Sequence, residues 1–160
     1  VAFLAGCSGG DDEAPPARTP ADFSGRWSFQ VQATSTTCTG AVVPPAVESG
    51  YLQIAQAGAS LAVEHLDDCG RLVFAAAGSA DGHVATIATD GALCAEPPCC
   101  YGVEVEETLA LLGSALGGEV RITLTSTGCG DIGTPCDLVG TLAASRCPPG
   151  DCQSFPPDCP

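Results

Sequence analysis

From residue 26 onward the chain alternates apolar and polar positions. Trp27, Phe29, Val31 and Ala33 interleave with Ser28, Gln30 and Gln32, the two-residue period of a strand with one buried face. Further strands are predicted at 51–56, 60–65, 71–77, 83–89, 101–112, 118–126 and 137–146. The seventh is the clearest: Val120, Ile122 and Leu124 face one way, and Glu119, Arg121, Thr123 and Thr125 the other. No segment carries a 3.6-residue period. Eight short strands with Gly-rich turns predict an all-β fold, an eight-stranded antiparallel up-and-down meander barrel, with a β-sandwich as the alternative.

The connections sort into two kinds. Strands 2–3, 4–5 and 6–7 are joined by short turns at 57–59, 78–82 and 113–117, none with cysteine. The other connections, mostly longer, carry Cys38, then Cys69, then Cys94, Cys99 and Cys100, then Cys129 and Cys136. In a meander alternate connections share an end, so these seven cysteines gather at one end of the barrel. Three more, Cys147, Cys152 and Cys159, follow the last strand in a Pro-rich strap. Seven is odd, so full pairing requires at least one bond from the strap back to the cysteine-rich end. Cys99 and Cys100, if extended, point to opposite faces and bond different partners. With 11 cysteines in 160 residues and no C-x2-C pair, disulfides in an oxidising compartment are expected rather than zinc. The pairing itself is not legible from spacing.

Composition narrows the partners. The chain has a formal net charge of −14 and an aromatic content of 5%. It has no lysine, and its arginines stand singly. Such a surface repels phosphate backbones and anionic head groups, which excludes nucleic acid and a basic membrane patch. The core must be built largely from Ala, Val, Leu and Ile.

The N-terminus reads Val-Ala-Phe-Leu-Ala-Gly-Cys, an apolar stretch ending in a small residue before cysteine. Leu4-Ala5-Gly6-Cys7 resembles the lipobox of bacterial lipoproteins, cut before a cysteine that carries diacylglycerol. The resemblance implies residues 1–6 as a signal-peptide remnant and Cys7 as the lipidated, palmitate-type anchor. The expected location is the bacterial cell envelope, with the outer membrane as the expected membrane. Setting Cys7 aside also leaves an even number of cysteines. Residues 8–22, rich in Ser, Gly, Asp, Glu, Ala and Pro, read as a flexible tether. The expected organisation is anchor and tether over 7–22, barrel over 23–147 and strap over 148–160.

Gly25-Arg26-Trp27 opens the meander and Arg146 closes its last strand. This resembles the lipocalins and their calycin relatives, with a G-x-W motif on the first strand and a basic residue late in the last. The resemblance implies a structural pair, the Arg146 guanidinium over the Trp27 indole, at the closed end of a lipocalin-like barrel. The T-D-Y turn motif and C-terminal helix of that family have no counterpart here.

An eight-stranded barrel either fills with side chains or holds one small ligand. His65, Tyr101 and Glu107 fall on inward positions and form a candidate ligand-contact set. The plainer reading, which the pattern favours, has His65 and Tyr101 at the loop edge partly in water. In it Glu107 leaves the interior through a β-bulge after Glu106. Asp67-Asp68 beside His65 reads as a solvated turn. No nucleophile, H-E-x-x-H, phosphate-loop or dinucleotide motif occurs, so no catalytic residue, cofactor or metal site is expected. Two functions stay open: a membrane-anchored barrel binding a small apolar or amphipathic ligand, or a filled barrel whose loop end contacts an envelope protein.

Overall fold

The computed structural model describes residues 18–39, 47–96, 99–126, 135–148 and 152. Eight strands follow in chain order: β1 Gly25–Thr36, β2 Val47–Ala57, β3 Ser60–Leu66, β4 Leu72–Asp81, β5 Val84–Glu96, β6 Cys99–Leu112, β7 Ala115–Ser126 and β8 Cys136–Arg146. Each pairs antiparallel with the next, and β8 returns to β1 to close the barrel. The sandwich alternative is thereby excluded.

Several strands run past the expected limits. Gly78 and Gly118 were expected in or beside turns but lie inside β4 and β7. A Cβ on Gly78 would meet the Thr86 carbonyl, and one on Gly118 the Thr108 carbonyl. Both glycines therefore mark close backbone approach within the sheet rather than a reversal of the chain. The actual reversals are shorter, at Gly82-His83 and Gly113-Ser114. β1 alternates as expected through Val31, but Ala33 is exposed where the β1–β8 register shifts between Ala33 and Ser35.

Inward residues of all eight strands form the core. The larger cluster includes Trp27, Phe29, Leu52, Ile54, Val63, Ile87, Leu109, Leu116 and Leu142. A smaller one at the cysteine-rich end joins Cys38, Tyr101, Leu124, Cys136 and Leu138. There a disulfide links Cys38 to Cys136, tying the end of β1 to the start of β8. Cys69 and Cys100 are also disulfide-bonded, and Cys94 lies opposite Cys100 in the β5–β6 ladder. Cys147, the residue after β8, pairs with Cys152. Cys7, Cys129 and Cys159 lie outside the described residues.

Residues 18–24 seal the opposite end. Phe23 is fully buried beneath Trp27, whose Nε1 donates to the Phe23 carbonyl at 2.9 Å. Gln56 braces this segment twice: its Oε1 accepts from the Phe23 N–H and its Nε2 donates to the Ala21 carbonyl. The Ala21 N–H reaches the Gly82 carbonyl, and the Arg18 N–H reaches Asp81. Residues 18–22, expected as tether, are thus part of the folded body. Their low hydrophobicity hid a role based on backbone hydrogen bonds.

The ladder is uneven. β5 and β6 pair along their length from Val84↔Ala110 to Glu96↔Cys99, whereas β4 and β5 pair only from Asp81↔Val84 to Ala77↔Ala88. Beyond Ala77 the two strands part toward the cysteine-rich end. The Thr89 hydroxyl donates to the Ala75 carbonyl at 3.0 Å, satisfying an acceptor where the backbone ladder has stopped.

Candidate functional site: an apolar cavity above a buried histidine–glutamate pair

The parting of β4 and β5 opens the side of the barrel. Val73 and Phe74 form one edge and Thr89 to Ala92 the other, and behind them lies a cavity of 270 Å³. Its inner wall is apolar: Val103 and Val105 from β6, Ile122 and Leu124 from β7, and Leu138 from β8. The strand alternation accounts for this wall, since every second residue of β6, β7 and β8 points inward. Polar residues are confined mainly to the rim, where Glu48 and Asp90 are exposed. Gly91 presents no side chain at the opening, and a Cβ there would meet nothing within 4 Å.

One inward layer below Val105 stands Glu107, and across the barrel on β3 stands His65. Both are buried, at 3% and 5% exposure. The β5–β6 and β6–β7 registers run unbroken through Glu106 and Glu107, so no bulge carries Glu107 out. Nor is His65 a wet loop-edge residue. It stacks on Phe74, with ring centroids 4.0 Å apart, and meets the edge of Phe29 at 5.9 Å. The plainer reading of these two residues is therefore overturned, because the barrel wall encloses their side chains on the inward parity.

His65 Nε2 lies 3.3 Å from Glu107 Oε1, close but not aligned as a hydrogen bond. Neither His65 Nε2 nor Glu107 Oε2 has a hydrogen-bond partner among the described residues. Buried polar atoms left in this way are costly, about 1–3 kcal/mol each and more for a charge. The pair thus holds unused hydrogen-bonding capacity one inward layer from Val105 and against Phe74, two residues of the cavity wall.

Tyr101 is also buried, at 6% exposure, which removes the loop-edge reading for it too. It belongs to the cluster around the Cys38–Cys136 disulfide, three inward layers above Glu107 on β6. The structure brings His65 and Glu107 together and leaves Tyr101 with the disulfide. Phe74, the ring between cavity and pair, was not singled out from the sequence, although its inward parity with Ala76 was a usable signal.

The remaining candidates are structural. Asp67 closes the β3–β4 turn by accepting from the Cys69 and Arg71 N–H groups and from Arg71 Nε at 2.7 Å. These hydrogen bonds hold its carboxyl below the ordinary carboxylate range, the Arg71 N–H contributing most. Arg146 lies over the Trp27 ring, 4.6 Å from its centroid. Among the described residues no group of three or more His, Cys, Asp or Glu side chains is placed to hold a metal ion. No protein-family model matches the chain, and no curated protein matches it in sequence.

Proposed function

We propose that this protein is a lipid-anchored, non-enzymatic binding protein of the bacterial envelope whose barrel takes up a small apolar or amphipathic ligand. The observation that carries this reading is the 270 Å³ apolar cavity open between β4 and β5. A cavity of about 150 Å³ accommodates benzene, so this one suits an apolar body of roughly ten non-hydrogen atoms. Apolar walls with a few convergent polar groups are the usual make-up of a small-molecule site. The lipid at Cys7 supplies the address. The outward faces carry exposed Glu64, Glu104, Glu106, Glu119 and Arg121, a surface made for water rather than for a hydrocarbon belt.

Native mass spectrometry of the refolded chain incubated with a bacterial lipid extract tests the reading. A retained small molecule is expected for the native protein, and its loss from a Val105→Trp variant that fills the cavity while keeping a β-type circular dichroism spectrum. No retained molecule on the native protein overturns the proposal in favour of a filled barrel that contacts an envelope protein.

A further inference from the structure

We infer that the ligand is a monocationic amphiphile, an apolar chain ending in one protonated amine, taken up with its ammonium group toward Glu107. The inference rests on the cavity reading above and adds the chemistry of the head group.

Charge is the first ground. The cavity has carboxylates at two heights, Glu48 and Asp90 at the rim and Glu107 one layer beneath. None of the lining residues is an arginine, and the chain has no lysine. Arg71, close in sequence to the β4 edge, is engaged with Asp67 at 2.7 Å. An anionic head group would meet only carboxylates among the charged residues of the rim, and at the bottom the Glu107 carboxyl beside the His65 imidazole.

The second ground is the unfilled valence of Glu107. Its Oε2 is buried without a hydrogen-bond partner among the described residues, and the His65 contact to Oε1 is not aligned to make up the difference. A buried carboxylate calls for a paired, hydrogen-bonding cation. An ammonium group offers three donors on one small head and can serve Oε2 while its chain lies along Val105 and Ile122. An alcohol brings one weaker donor and no charge. Phe74, stacked on His65, also lines the cavity and so joins the cavity wall to the buried pair.

The test uses the refolded full chain and three probes of one length, decylammonium, decanol and decanoate, in titration calorimetry, the two ions below their micelle concentrations and decanol below its solubility limit. The expected order is decylammonium first, about ten-fold or more tighter than decanol, with decanoate weakest. Glu107→Gln is expected to weaken decylammonium about ten-fold and to leave decanol within about two-fold. The Val105→Trp variant controls for adsorption of a cation to an acidic surface and must lose decylammonium binding. Decanol or decanoate binding as tightly as decylammonium overturns the inference and leaves the cavity standing. So does decylammonium binding that survives Val105→Trp or is unmoved in Glu107→Gln. Failure of all three probes on the native chain overturns the cavity reading itself. If Glu107→Gln does not fold, the ranking of the probes on the native protein decides.

Discussion

Arg146 collects three contacts at the closed end. Its guanidinium covers the Trp27 ring, its Nη2 donates to the Asp22 carbonyl at 2.8 Å, and its Nη1 lies 3.6 Å from the Asp22 carboxylate. Asp22 is itself fixed by Ser24, whose hydroxyl and N–H both donate to Oδ1. These Ser24 hydrogen bonds, with Arg146 assisting, hold the Asp22 carboxyl below its ordinary value of 3.8. A lowered pKa in the folded state favours folding above the ordinary value, and that contribution is lost as pH falls through the lowered one. The latch should therefore loosen only below about pH 4. Trp27 is the single tryptophan, so its fluorescence reports on this end alone. An acid titration should show an emission step below that pH in the native chain and none in Asp22→Asn. The same step in both would show that Asp22 does not govern it.

Among the elements, β4 and β5 form the weak seam and the β1–β8 junction the reinforced one. The seam lies between Asp90, Gly91 and Ala92, which pair with β6 and not with β4, and a β4 edge that exposes Leu72 and Val73. The junction is held by a ladder from Trp27↔Arg146 to Thr36↔Leu138 and by the Cys38–Cys136 disulfide, which spans 98 residues of sequence. Disulfides that close long loops restrict the unfolded chain most. Replacing both cysteines with alanine should cost about 2–4 kcal/mol in urea unfolding under non-reducing conditions. A change under about 0.5 kcal/mol would mean that the remaining disulfides already restrict the unfolded chain to the same degree.

At the scale of the whole molecule, the barrel has two unlike ends. The chain enters β1 through the sealed end, where Val84 and Leu112 also leave apolar side chains exposed at 44% and 68%. The cavity opens near the other end, beside the disulfides. A lipid on Cys7 would hold the sealed end toward the membrane and leave the cavity accessible from the aqueous side. Cells expressing the full-length gene product with labelled palmitate should incorporate label into this protein and retain it in membranes. Cys7→Ser should abolish both, and continued labelling of that variant would refute the anchor at Cys7.

Much of this was legible before the structure. The two-residue alternation of eight segments specified the strands, and their short connections the meander, because a strand with one apolar face must bury it against its neighbours. The grouping of the cysteine-bearing connections at one end followed from the meander. The inward parity of His65 and Glu107 was legible as well. Three things were decided only by the tertiary structure. Barrel closure encloses His65 and Glu107 and sets them 3.3 Å apart from strands 42 residues apart in sequence, a distance that depends on register around the whole barrel. The seam between β4 and β5 exists because their pairing stops at Ala77 while β5 goes on pairing with β6, a difference between two partners of one strand that the strand's own pattern does not record. The seal by residues 18–24 relies on backbone groups and Gln56 rather than on apolar periodicity. Local pattern thus set which face each residue takes, and closure of the sheet decided which of those faces meet.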